Sequence, residues 1–197
     1  MPSDVVTVPM VPSGSGEAGC CGTVLRNVRR ALNLAVGTER RPGGDAGTVT
    51  CVQTFLPYPS FARSVRVLDR ARMGKQRVEA LQVLRAITVP GYGWRHHPVA
   101  KMWRGYLPAL TKYALESTDA WIEQGHADTV RPQVLAFAPE VEALSQEELE
   151  LPPWIGDPDF HRSHQSNLVR KDAEFYGPLF PGVPDDLPYV WPVPTRE

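Results

Sequence analysis

The run "LDRARMGKQRVEALQVLRAIT", Leu68 to Thr88, limits the fold more than any other stretch, because it contains no proline in a chain that has 20 of them. Val78, Leu81, Leu84 and Ile87 recur every three residues along it, and Asp69 stands at its start as an N-cap. A helix of that length crosses a whole small domain, at about 1.5 Å per residue. The remainder of the chain must therefore be arranged around it. "VPGYGWRHHP" (Val89 to Pro98) reads as a loop, and "VAKMWRGYLPALTKYALESTDAWIEQG" as a second helix kinked at Pro108. "LPPWIGDP" breaks the chain again, and "DFHRSHQSNLVRKD" (Asp159 to Asp172) reads as a third helix. Beyond it, six prolines from Pro178 to Pro194 and the aromatics Phe175, Tyr176, Phe180, Tyr189 and Trp191 form a tail that can only drape over a helical body. No alternating strand pattern of useful length occurs. The expected class is all-α: a compact single domain of about three main helices, with irregular loops and an aromatic, proline-rich C-terminal tail.

Residues 1–51 do not share this pattern. They hold eight of the 16 glycines, all three cysteines (Cys20, Cys21, Cys51) and one short amphipathic piece, Thr23 to Val36. Such a segment has no core-forming pattern. It is expected to be a disordered extension, or upstream sequence read through a misassigned start. Valine is what a GTG initiator becomes when it is read as an internal codon, so Val52 is the candidate start and 52–197 the working domain. The cysteine placement removes a disulfide framework, a thiolate metal site and a cysteine nucleophile from that domain. No run approaches the roughly 18 apolar residues of a membrane span, so the expectation is a soluble, cytoplasmic protein.

The net charge of −1 conceals a strong asymmetry. Residues 63–112 hold eleven basic side chains against two acids, whereas residues 113–160 hold eleven acids against Arg131 alone. A basic face of this kind meets phosphate backbones. Two helical faces that attract one another would carry the same charges, and both readings stand at this point.

Glu79 is the only acid between Arg70 and Glu116. Gln76 and Arg72, three and seven residues back, share its helix face, and Lys75 lies four back. Cations around a lone carboxylate hold it ionised, suited to stabilising a cation or moving a proton near DNA. An ordinary Lys75–Glu79 helix ion pair is the plainer reading. The histidines fall in two pairs, His96 with His97 and His161 with His164. They suggest phosphate contacts, structural roles, or a metal-dependent phosphodiesterase using Glu79. The expected set has no metal ligands and no cofactor. Ser163, Ser166, Asn167, Arg170 and Lys171 suit phosphate and sugar contacts. Tyr92, Trp94, Tyr176 and Trp191 are candidates for base stacking, or for the core.

"RMGKQRVEALQVL" resembles the catalytic helix of the phage endonuclease V-like pyrimidine-dimer DNA glycosylase family, with Glu79 at the position of its single glutamate. "GYGWRHHPVAKMW" is similar to a second family block, and "HRSHQSNLVRKDAEFYGPLF" to a third. The three occur in the family's order between Val52 and about Trp191. The resemblance implies a compact all-α fold that flips a damaged or modified pyrimidine out of duplex DNA and excises it, acting as a monomer. It also implies an AP-lyase step, in which an N-terminal α-amine attacks C1′ of the deoxyribose and the glutamate assists. The family's first residues align with Val52 and Gln53, which become candidate catalytic positions beside Glu79. An α-amine suits the task because its pKa near 8 leaves much of it neutral. One departure stands out: a glutamine after an initiator blocks removal of that first residue. The amine then belongs to position 52, or water with Glu79 does the chemistry; Lys75 is a third amine. The DNA-contacting set implied is Arg72, Lys75, Gln76, Arg95, His97, Arg104, His161, His164, Arg170 and Lys171. A non-catalytic nucleic-acid-binding module on the same scaffold is the rival class.

Overall fold

The computed structural model describes residues 52–194, and the amphipathic piece Thr23 to Val36 and the cysteines lie outside them. Seven α-helices follow in order: α1 (Phe61–Arg66), α2 (Arg70–Thr88), α3 (Pro98–Trp103), α4 (Leu107–Glu123), α5 (Arg131–Leu135), α6 (Pro158–Lys171) and α7 (Ala173–Tyr176). Two 3-10 turns, Pro139–Glu142 and Gln146–Glu148, lie between α5 and α6. No strand occurs among the described residues, so the class is all-α as expected. None of these helices is long and apolar enough to cross a membrane.

The helix boundaries follow from side-chain caps. Asp69 accepts from the N–H groups of Ala71 and Arg72 and so starts α2. Val89 turns extended ahead of Pro90, where the proline ring disfavours helical backbone, and so ends it. Asp157 caps α6, with Pro158 in the first turn, where a missing N–H costs nothing. That helix matches the sequence expectation to within one residue at each end.

Two expectations need correction. The second helix is not one kinked rod but two helices, α3 and α4, separated at Arg104–Tyr106. Gly105 makes the break with φ of 84°, and Pro108 merely occupies the first turn of α4. On α2, Val78 is not in the buried stripe but 38% exposed. Each step of three residues rotates about 60° around a helix, so Val78 and Ile87 end on opposite sides. The buried face instead runs through Met73, Gln76, Ala80, Val83 and Leu84, with Glu79 and Leu81 beside it. That rotation carries Gln76 and Glu79 inward.

α2 packs along α4, and α1 crosses α4 beside it. At Gly74 the approach is so close that a Cβ would meet the Trp121 ring at 2.9 Å. The centre is aromatic: Trp103 meets Trp154 edge-on with centroids 4.8 Å apart, and Phe61 meets Tyr113 edge-on at 5.7 Å. Running through this core is the extended segment Val52–Pro57, with every residue buried.

Candidate active site

A buried extended segment without sheet partners must satisfy its backbone groups elsewhere, and here side chains do it. Gln76 on α2 donates from Nε2 to the carbonyl of Gln53 (2.8 Å) and accepts at Oε1 from the N–H of Phe55 (3.0 Å). Tyr113 on α4 donates its hydroxyl to the carbonyl of Phe55 (2.8 Å). Trp103 on α3 donates from Nε1 to Thr54 Oγ1 (3.0 Å). From α6, Gln165 Nε2 donates to the carbonyl of Pro57 (2.8 Å).

His161 and His164 complete the cradle, and their partners fix their tautomers. His164 Nδ1 accepts the N–H of Leu56 (3.1 Å), so its proton sits on Nε2, which is buried without a partner. The Tyr189 hydroxyl also reaches His164 Nδ1 at 3.1 Å. His161 Nδ1 lies 2.7 Å from the carbonyl of Leu56 and must donate to it, while its Nε2 accepts the N–H of Gly156 (2.9 Å). Burial pushes the pKa of both imidazoles down, His164 well down, which suits neutral rings bound to backbone groups. Both histidines are therefore internal supports of the segment.

Glu79 is 5% exposed. Lys75 Nζ lies 3.2 Å from Oε1, and the Gln53 backbone and the charge of Lys171 also bear on the carboxylate, each favouring its ionised form. Burial nevertheless outweighs these contacts and raises the Glu79 pKa above the ordinary carboxylate value. The cations Lys75 and Lys171 favour the ionised form, as expected of them, but burial is the larger influence. Tyr113 and Tyr189 lie near enough to feel its charge; burial first, and that charge second or later, push both phenols well above their usual value. The site therefore joins a carboxylate of raised pKa, the backbone of Gln53 and two neutral phenols. Such a carboxylate takes up or releases a proton closer to neutral pH than a surface glutamate.

The other predicted residues divide into two groups. Lys75 and Lys171 gather at Glu79, with Lys171 Nζ 6.0 Å above the Phe55 ring. Arg72 is next to this group but pairs with Asp69 and donates to the carbonyl of Lys171 (3.0 Å). Gln76 is fully buried, with both amide atoms on the segment, so it has no reach to a DNA backbone. Arg95 is exposed, and its carbonyl accepts from Arg104 (3.0 Å), beyond the C-terminal end of α2. His97 caps α3 through Nδ1 and sits edge-on between Trp94 (5.4 Å) and Trp191 (5.7 Å); burial lowers its pKa. Arg170 is not at the carboxylate: it holds the tail by the carbonyls of Asp185 and Leu187. Of the proposed stacking residues, Tyr176 is buried with its hydroxyl on Asp69 (2.6 Å), which leaves the partly exposed Tyr92, Trp94 and Trp191.

Sequence reasoning missed Tyr113 and Tyr189. Tyr113 lies on the apolar face of a regular helix, and Tyr189 lies in a tail without periodicity, so neither carries a signal of its own. Among the described residues, no group of three or more His, Cys, Asp and Glu gathers at metal-binding spacing.

No curated protein and no solved structure matches the chain. The family model for pyrimidine dimer DNA glycosylase matches residues 52–133, a stretch that starts at the buried segment and includes Glu79, Gln76 and all of α1–α4. Residues 52–133 of the chain are thus similar to the pyrimidine dimer DNA glycosylase family.

Proposed function

We propose that this protein is a DNA repair glycosylase that flips a damaged pyrimidine nucleotide out of the duplex and excises the base through Glu79, beside the buried segment that begins at Val52 and Gln53. The observation that carries this reading is a buried carboxylate of raised pKa on α2, paired with Lys75 and influenced by the backbone of Gln53, where the family's first residues align. Lys75, Arg95, Arg104 and Lys171 meet the phosphates, and Arg72 supports them through Lys171. Partly exposed Trp94 and Trp191 flank the extruded base.

Two routes share this geometry. In the first, the nitrogen at position 52 or 53 is a free α-amine. Its lone pair forms a bond to C1′ as the glycosidic bond breaks, and the base leaves with that electron pair and a proton. The adduct nitrogen then loses a proton, the ring oxygen leaves C1′ and gains one, and an imine results. Glu79 carries the protons. In the second, Glu79 takes a proton from water, whose oxygen bonds to C1′ as the glycosidic bond breaks; the base leaves with the electron pair of that bond and takes up a proton, and no covalent intermediate forms. In the 197-residue chain the nitrogens of Val52 and Gln53 are both peptide nitrogens, so the first route requires a chain whose first residue is 52 or 53. We assign residues 1–51 no part in the chemistry.

Borohydride trapping separates these cases. A chain beginning at 52 and the 197-residue chain are incubated with duplexes carrying damaged pyrimidines, then reduced. An adduct mapped by peptide mass to the first residue of the short chain supports the amine route. Excision without an adduct in either chain assigns the water route. Absence of excision from every lesion tested, by both chains, overturns the proposal.

A further inference from the structure

The Gln76 side chain holds its segment as a neighbouring strand would. A residue in a parallel ladder donates to one carbonyl and accepts the N–H two residues further on. Gln76 does this with its amide, donating to the carbonyl of Gln53 at 2.8 Å and accepting from Phe55 at 3.0 Å, so that it straddles Thr54. Glu79 lies one turn along, on the neighbouring position of the same helix face. Gln76 thus binds the Gln53 carbonyl and the Phe55 N–H from α2, three positions before Glu79, on which the backbone of Gln53 also bears.

The segment has no ladder, so its register depends on side chains alone. Tyr113, His161 and His164 fix its far end at Phe55 and Leu56. The Gln76 bonds are the ones adjoining Gln53. A slip of one residue would move the Gln53 backbone relative to Glu79 by about 3.3 Å, well beyond hydrogen-bond tolerance.

We infer that Gln76 is a positioning residue: its buried amide sets the register of residues 53–55 and thereby holds the Gln53 backbone beside the Glu79 carboxylate. The catalytic consequence rests on the reading of Glu79 given above; the structural one does not. Gln76 does not touch the reacting atoms. It acts through the strand it holds.

The test uses the full chain, labelled with nitrogen-15, and follows the Gln53 amide signal through a pH titration. In the wild type that signal moves as Glu79 ionises. In Gln76→Leu it no longer follows Glu79, and the Gln53 and Phe55 amides exchange faster with solvent while those of α4 stay protected. Excision at saturating lesion duplex falls by about 10²-fold, the cost of an ångström-scale misplacement, with the binding constant for the duplex unchanged. Gln76→Glu adds a readout that a merely structural role would not move. Ionised, the introduced carboxylate accepts from Phe55 but cannot donate to Gln53; protonated, it does both. Phe55 therefore stays protected in both forms, while the Gln53 signal recovers its wild-type position as pH falls through the pKa of the introduced carboxyl. Should Gln76→Leu fail to fold, this pH recovery decides the matter, and its absence overturns the inference. A folded Gln76→Leu whose Gln53 signal still tracks Glu79 overturns it as well. A wild type that excises nothing while its Gln53 signal depends on Gln76 supports the inference and contradicts the functional reading, so the two failures are distinct.

Discussion

At the scale of the residue, Glu79 illustrates how far a helix-surface pattern can mislead about environment. Its solitude among cations is legible in the sequence, and so is its partner Lys75, found at 3.2 Å. Its burial is not legible, because the covering groups are the backbone of Gln53 and side chains distant in sequence. The raised pKa has a stability consequence whose sign is definite. A carboxyl whose folded pKa exceeds its unfolded one, about 4.3, is protonated more readily in the native state, so stability falls as pH rises through the folded value. Glu79→Gln removes this penalty. Urea unfolding should show the variant close to wild type at acid pH and increasingly more stable as pH rises above the unfolded value, until the folded group is fully ionised. An advantage that shrinks over that interval would show the Glu79 pKa to be lowered instead.

At the scale of the element, α2 and α6 were legible and their surroundings less so. Asp69 and the lack of proline mark α2, while α6 has its histidines and basic end. The split between α3 and α4 was missed because a proline suggests a kink more strongly than a glycine suggests a break. What seats α2 against the acidic half of the chain is Arg77, which pairs with Asp128, a side chain only 1% exposed. Asp128 also accepts from the N–H groups of Val130 (2.7 Å) and Arg131 (2.6 Å), at the start of α5. One carboxylate thus joins α2 to α5. Asp128→Ala leaves a largely buried guanidinium without its partner and should cost about 3–5 kcal/mol in unfolding free energy. Asp128→Asn keeps the bonds at α5 and should cost less. Equal losses in urea denaturation would mean that charge pairing contributes little to the junction.

At the scale of the molecule, the charge asymmetry is matched internally in part. Arg66 pairs with Glu116 and Glu123, and Arg77 with Asp128, so part of the basic half is matched internally. Arg70, Lys75, Arg95 and Lys101 remain exposed on the basic side. If these meet phosphates, the logarithm of affinity should fall linearly with that of salt, by about 0.9 per contact. Arg95→Ala should reduce the slope by about one contact, and a salt-independent affinity would contradict a nucleic-acid role. The proline-rich tail does drape, as its composition suggests: Arg162 holds the carbonyl of Gly182, Ser166 the N–H of Leu187 and Ser163 the N–H of Val190. That draping delivers Tyr189 to His164, a long-range pairing that no local pattern encodes. The central claim, excision driven by Glu79, is tested most directly by single-turnover kinetics on a duplex containing a pyrimidine dimer. Wild type and Glu79→Gln should bind it equally, with base release by the variant slower by about 10²–10⁴-fold, as for a lost acid–base group; release by Glu79→Gln at the wild-type rate would contradict the account.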